Sequence, residues 1–291
     1  MSSIDVIILT YNSAELLPAA VASVRAQTSA EVTITVIDNA STDRTLDVAR
    51  ELGLTPIANP RNIGFGAAIN QAAAATTAEY VALLNPDAEL GDTKCLEAMV
   101  ATLADQTIGV VGTRIVTPQG DPYPNGRRFP STTVAARHAL MSIVRPGENS
   151  ASADYFGPAI GHPDADQIVD WVSGCCLMMR RPLWEHVRGF DPRYWMYLED
   201  ADLAWRLRQE GYRTVLSGPA WVIHHGGQSS RFRRNRSLWH HHRSAVLFYA
   251  RTRTGWRRVL LPAATTFLGL RLVALVGLNT IRRLTNRHQQ S

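Results

Sequence analysis

The sequence predicts an α/β fold on a doubly wound, mostly parallel sheet. Two observations point there. Short apolar runs rich in β-branched residues alternate with helix-like stretches four times between residues 4 and 87, the pattern of successive βαβ units. Each of those runs also ends in a polar cluster: Thr10-Tyr11-Asn12, Asp38-Asn39, Asn59 to Asn62, and Asn85-Pro86-Asp87. In open sheets of this kind, ligands bind at the carboxyl ends of the strands.

The elements follow in order. "IDVIILTYN" is a strand, short, apolar and β-branched. Ser13 is placed to cap the next helix, whose apolar positions are Leu16, Leu17, Ala20, Val21 and Val24. "VTITVIDNASTD" is a second strand ending at Asp38, with a cap at Ser41 or Thr42 and a helix through Val48, Ala49 and Leu52 that Gly53 stops. "LTPIANP" is a short third strand, "NIGFGAAINQAAAAT" a glycine-started helix, and "EYVALLN" a fourth strand. Residues 117–170 lack periodicity, and "TPQGDPYPNGRRFPS" is dense in Pro and Gly, which reads as loop. "YLEDADLAWRLRQEGYR" is a helix with a stripe of Leu198, Leu203, Ala204 and Leu207, stopped by Gly211.

Composition bounds the function. The 291 residues are 45% apolar and 19% charged, enough for a sizeable core and unlike a disordered chain. Cys95, Cys175 and Cys176 are an odd set without framework spacing, read as packing residues of a reducing compartment. The N-terminus starts almost directly on a strand, so no secretory leader is expected. Charge is uneven. The first 210 residues carry 16 basic and 25 acidic side chains, a net of −9, whereas the last 81 carry 14 arginines and no acid. Such asymmetry implies an anionic partner, nucleic acid or anionic lipid.

The strand ends narrow the ligand. No G-x-G-x-x-G follows the first strand and no G-x-x-x-x-G-K-[ST] occurs, so neither a standard dinucleotide site nor a P-loop is expected. Asp38 suits a base imide or ribose hydroxyl, or equally an Asx-turn. "NPDA" ends a strand with one carboxylate, Asp87, which is either a metal ligand or part of a bare turn. One carboxylate suffices for Mg²⁺ when substrate phosphates and water complete the shell. Glu199, Asp200 and Asp202 crowd a helix first turn, where acids suit the helix dipole, but they also adjoin Tyr194, Trp195 and Tyr197.

In the tail, "RFRRNRSLWHHHR" is basic and aromatic, and "VLLPAATTFLGLRLVALVGLNTI" is apolar but interrupted by Pro262 and Arg271. An arginine near the centre of a span costs about 2.5–3.5 kcal/mol on the insertion scale. A helix in the membrane interface, flanked by arginines on anionic headgroups, accounts for both features, and nucleic acid does not need the apolar run. Packing on the body or in a homodimer is the alternative.

The ordered series "VIILTYNSAELLPAAVASV", "VIDNASTDRT", "NPRNIGFGAAINQA", "YVALLNPDAEL" and "GFDPRYWMYLEDADLAWRLRQEGY" resembles the inverting family-2 glycosyltransferases of the GT-A fold over residues 1–230. "NIGFG", "LLNPDAEL", "RRFPS" and "VDWVSGCCLMMRR" look like its bacterial rhamnosyltransferase branch. That resemblance implies a Rossmann-like GT-A domain at 1–230, with a nucleotide-sugar half (1–116) and an acceptor half (117–230). A basic, amphipathic helical extension (231–291) follows. It implies dTDP-rhamnose as donor and a polyprenyl-diphosphate-linked N-acetylglucosamine as acceptor, at the cytoplasmic face of the membrane. UDP-galactofuranose or UDP-N-acetylglucosamine as donor, or a non-catalytic scaffold, is the alternative.

The resemblance also implies roles. Asp200 is the general base. Asp87 and His224 hold a divalent cation, Mg²⁺ or Mn²⁺, with only one of His224 and His225 facing the site because strand side chains alternate. Thr10, Tyr11, Asn12, Asp38, Asn39, Asn62, Gly64, Phe65 and Asn85 bind the nucleotide sugar. Trp171, Gly174 and Glu199 bind the acceptor. Arg127 and Arg128 are either diphosphate ligands or solvated charges.

Overall fold

The structure, a computed structural model, describes residues 2–28, 31–129, 165–226, 234–253, 255, 259 and 261–288. Residues 130–164 of the predicted loop, and residues 227–233, lie outside the described residues. The first half runs β1 (Ser3–Thr10), α1 (Leu17–Arg25), β2 (Glu31–Asp38), α2 (Thr45–Glu51), β3 (Ile57–Ala58), α3 (Phe65–Ala73), β4 (Tyr80–Leu84), β5 (Ala88–Leu90), α4 (Cys95–Leu103) and β6 (Ile108–Val116). Then come β7 (Pro122–Tyr123), β8 (Gly126–Arg127), β9 (Gln167–Val169), β10 (Trp171–Val172), β11 (Cys176–Arg180), α5 (Arg181–His186), α6 (Glu199–Gln209), β12 (Arg213–His224), α7 (Arg234–Thr252) and α8 (Leu261–His288).

The main sheet has the order β3-β2-β1-β4-β11-β6-β12-β5. Its first four strands are parallel, as the βαβ alternation requires. β11 enters antiparallel between β4 and β6, β12 runs parallel to β6, and its end pairs antiparallel with β5. Alternation along β1 sends Ile4, Val6 and Ile8 to one face and Ile7 to the other. The first face is covered by α1, α2 and α4, and the second by α3, α5 and α6. All five residues of β4 are buried, as expected of a central strand covered on both sides.

Local chemistry departs from two expected caps. Ser13 closes the turn into α1 through its carbonyl, which accepts from the Leu16 and Leu17 N–H groups; its hydroxyl does not cap the helix. Ser41 does not cap α2, which begins at Thr45. Its N–H and hydroxyl both donate to the Asp38 carboxylate. Asn, Asp and Ser side chains compete for backbone groups in this way, so strand-end polar clusters make loops before they make caps.

The expected boundary at residue 230 falls among the undescribed residues, and α7 beyond it is packed on the body. Phe248 is buried with Trp171, Tyr194, Leu198, Ala201 and Ala204. The Ser244 hydroxyl donates to the Met196 carbonyl at 2.9 Å, and Arg251 pairs with Asp191 and with the fully buried Asp202 at 2.5 and 2.7 Å. α8 packs against α7, and Arg271 reaches the His242 Nε2 at 2.8 Å. His242 donates its other ring N–H to the Leu238 carbonyl, which leaves Nε2 to accept from Arg271. No helix of the described residues is long and apolar enough to cross a membrane.

Candidate active site

The carboxyl ends of β1, β2 and β4 open into a cleft of about 630 Å³. Thr10, Tyr11, Asn39, Asn62, Phe65, Asn85 and Asp87 line it from the nucleotide half predicted in the sequence. From the second half come Arg127, Trp171, Gly174, Glu199, Asp200 and His224. Asn12, Asp38, Gly64 and Arg128 do not line it.

Those four have other work. Asp38 is fully buried and accepts from the hydroxyls of Thr10 (2.8 Å) and Ser41 (2.5 Å) and from the Ser41 N–H (2.8 Å). The Asn12 carboxamide oxygen accepts from the Thr42 N–H at 2.7 Å, tying the first loop to the second. Gly64 sits at φ +95°, and a Cβ there would stand 2.7 Å from the Trp195 carbonyl, so only glycine fits. Arg128 is exposed, and its carbonyl accepts the Trp171 indole N–H at 3.1 Å. Asn39 does line the cleft, but it holds the loop beside it. It donates to the Gly64 carbonyl at 3.0 Å and accepts from Asn59 at 3.2 Å.

The Asn85-Pro86-Asp87 turn is fixed by main chain. The Asn85 N–H donates to the Cys175 carbonyl at 2.8 Å, the Ala88 N–H closes onto Asn85 at 3.1 Å, and the His225 N–H reaches the Asp87 carbonyl at 2.9 Å. Pairing of β12 with β5 carries His224 to this turn, where its Nε2 lies 3.2 Å from the Asp87 carboxylate. Both side chains are largely buried, 12% exposed for Asp87 and 21% for His224. His225 points elsewhere and pairs with Glu89 at 2.6 Å. A hard carboxylate next to an imidazole, at the lip of an open cleft, suits a divalent cation that takes its other ligands from phosphate and water. No group of three metal-ligating side chains occurs among the described residues.

The base candidates stand at the start of α6. Tyr197 and Leu198, just before it, both have positive φ, +70° and +63°. Non-glycine residues in that region are strained, and such strain concentrates at functional sites. Asp200 accepts the Gly174 N–H at 3.1 Å and the Ala201 N–H at 2.8 Å. Burial raises its pKa, while those two N–H donors and the Arg127 charge pull it back. Glu199 is 6% exposed, and its Oε2 has no hydrogen-bond partner among the described residues. Burial and the adjacent Asp200 charge push it well up. Burial pushes both carboxyls up, and Asp200 alone of the two has backbone N–H donors and the Arg127 charge to oppose that rise. Asp202 takes no part in the cleft and is paired with Arg206 at 2.9 Å and with Arg251.

Sequence reasoning missed the wall formed by Trp195 and Met196 together with Arg236, His240 and Arg271 of the last two helices. The i, i+4 spacing of Arg236 and His240 places them on one helix face, a signal that was present within the basic run. The cysteines behave as expected. All three are buried free thiols, and burial pushes Cys175 and Cys176 far from thiolate character.

Comparison with known proteins places the chain in a family. The family described as "Glycosyl transferase family 2" matches residues 5–187. The chain is 30% identical over 268 residues to the N-acetylglucosaminyl-diphospho-decaprenol L-rhamnosyltransferase of Mycobacterium tuberculosis, covering 88% of this chain and 86% of that protein. It is 27% identical over 227 residues to an O-antigen chain rhamnosyltransferase of Salmonella typhimurium, covering 76% and 66%. A mannosyltransferase of Pyrobaculum calidifontis, solved with GDP-Man and Mn²⁺, shares the fold with a TM-score of 0.59 at 19% identity, over 97% of this chain and 79% of that one. The chain is a GT-A-fold glycosyltransferase and belongs to glycosyl transferase family 2.

Proposed function

We propose that the protein transfers L-rhamnose from dTDP-rhamnose to an N-acetylglucosamine carried on a polyprenyl diphosphate, with inversion. The observation that carries this reading is one cleft holding both the Asp87–His224 pair and Asp200, whose two oxygens are oriented by the Gly174 and Ala201 N–H groups. The relationship to rhamnosyltransferases over nearly the whole chain supports the sugar and the acceptor.

In this reading Thr10, Tyr11, Asn62, Phe65 and Asn85 receive the nucleotide sugar, and Asp38, Asn39, Asn12 and Gly64 set the loops around it. Asp87 and His224 hold a divalent cation, which when bound neutralises charge on the departing diphosphate. The imidazole ligand favours Mn²⁺ over Mg²⁺. Trp171, Gly174 and Arg127 form the acceptor-sugar floor, with the Arg127 guanidinium 4.9 Å over the Trp171 ring. Asp200 takes the acceptor hydroxyl proton as that oxygen bonds to the anomeric carbon. The bond from that carbon to the diphosphate breaks, and the electron pair leaves with the phosphate. One displacement without an enzyme nucleophile inverts the centre. A competition assay with a radiolabelled donor tests the donor. Transfer from dTDP-rhamnose should exceed transfer from UDP-sugars, and robust transfer from UDP-galactofuranose or UDP-N-acetylglucosamine with none from dTDP-rhamnose would refute the reading.

The acceptor is lipid-linked in this reading, so the body works at the cytoplasmic face of an anionic membrane. α8 supports that placement. Arg271 turns toward α7, whereas Phe267, Leu270 and Val273 are exposed on one face, Leu270 and Val273 by 67% and 71%. Basic residues and an apolar face together supply the two signals that reversible anchoring needs. Replacing Phe267, Leu270 and Val273 together by serine should release the protein from anionic liposomes in a sedimentation assay while leaving its melting temperature close to that of the parent. Undiminished pelleting, or a collapse in melting temperature, would assign that face to the fold or to a dimer instead.

A further inference from the structure

The cleft has two chemically opposite ends. At one, Asp87 and His224 collect a cation. At the other, α7 and α8 contribute Arg236, Ser237, His240, Leu268 and Arg271, and no acid occurs in the chain beyond Glu210. This second end is tied by contacts to the loop around Gly64. The Trp195 carbonyl accepts the Phe65 N–H at 2.8 Å, which locks Trp195 against the Gly64 turn. The His240 ring stacks on Trp195 at 4.0 Å and 17°, and the Arg236 guanidinium lies over the same indole at 4.9 Å. His240 is 7% exposed, and its Nδ1 has no hydrogen-bond partner among the described residues. Burial first, and then the charges of Arg236 and Arg243, hold its pKa below the ordinary histidine value. In the proposed function the donor diphosphate is held at Asp87 and His224, and the cations of α7 and α8 have no role in it. This end therefore fits a second anion, and Leu268 sets an apolar residue at its edge, on the helix that exposes Leu270 and Val273.

We propose that Arg236, His240 and Arg271 form a subsite for the diphosphate of a lipid-linked acceptor, with Leu268 guiding the lipid toward the exposed face of α8. The subsite rests on the acceptor class proposed above and assigns the residues that read it. Arg236 provides a planar fork of donors suited to phosphate oxygens, already oriented by the indole beneath it. The stack of Arg236 and His240 on Trp195 places the subsite one aromatic layer from the loop that flanks the donor. A sugar joined to that diphosphate then lies between the cationic wall and Asp200, as transfer demands.

The test compares two acceptors on the full chain: N-acetylglucosamine linked to farnesyl diphosphate, and uncharged octyl N-acetylglucosaminide. Arg236→Gln should lower the ratio of kcat/KM for the charged over the neutral acceptor by about tenfold or more, the scale of one charge-assisted hydrogen bond. Arg236→Lys should recover part of that ratio. An equal loss with both acceptors would make Arg236 a packing residue of Trp195 and overturn the subsite. So would a loss confined to the KM of the nucleotide sugar, since the diphosphate read there would be the donor's. If the parent protein transfers to neither acceptor, the proposed function fails, and titration calorimetry with farnesyl diphosphate alone decides the subsite. Binding about tenfold weaker in Arg236→Gln sustains it, and equal binding removes it.

Discussion

Asp200→Asn is expected to lower kcat for sugar transfer by about 10²–10⁴-fold, the usual contribution of a positioned general base. Affinity for the nucleotide sugar, read by calorimetry, should stay close to that of the parent, because Asp87 and His224 are held by β4, β5 and β12 and not by α6. The two Asp200 oxygens each face an N–H donor, from Gly174 and Ala201. An amide can present its oxygen to only one of them, so the variant loses orientation as well as basicity. Near-normal turnover in Asp200→Asn would remove it from the mechanism.

The same residue sets a pH dependence with a definite sign. Burial raises the Asp200 pKa, so kcat/KM should fall as pH drops through a value above the ordinary aspartate range of about 3.9. The Arg127 charge opposes that rise. Arg127→Met should therefore move the acidic limb to higher pH, and a limb that stays in place would mean another group controls it. Glu199 is the poorer base candidate, since burial and the neighbouring Asp200 charge push its pKa well up and its Oε2 has no hydrogen-bond partner among the described residues.

The strands that built the cleft were legible because their signal is local. Short apolar, β-branched runs set β1, β2 and β4, and the polar residues after them had to fall at the carboxyl ends of a parallel sheet. Pairings that depend on distant partners were not legible. The insertion of β11 antiparallel between β4 and β6 joins it to segments more than 90 residues away at Leu84 and about 65 away at Gly112, and nothing in "CCLMMR" names its neighbours. Asp38 illustrates a different limit. An acid at a strand end suits a ligand and a loop equally, and the Ser41 hydroxyl three residues on resolved it toward the loop. The basic run from Arg231 was read for its charge. Packing on the body stood only as the alternative, and the charge did not show which residues pack: Phe248, Ser244 and Arg251 bring α7 to the cleft as a wall.

Asp87→Ala is expected to weaken binding of a nucleoside diphosphate in the presence of Mn²⁺ by about 100-fold or more. Loss of an outer-shell partner alone costs a metal site about 10–100-fold, and here a direct ligand is removed. The fold of the turn should survive, because Asn85 and Asp87 are fixed through their backbone to Cys175, Ala88 and His225. A retained melting temperature without ligand would show that. His224→Ala should weaken the same binding, since its imidazole lies 3.2 Å from the Asp87 carboxylate. His225→Ala should change it little, because His225 turns to Glu89. Asn85→Asp should be tolerated: it adds a second carboxylate to a turn whose backbone bonds it does not touch. Calorimetry of dTDP with Mn²⁺, repeated after chelation, reads all four variants. Chelation should bring the parent down toward Asp87→Ala and leave that variant nearly where it was. Equal Mn²⁺-dependent affinity in the parent and in Asp87→Ala would reduce Asn85-Pro86-Asp87 to a turn that only ends a strand.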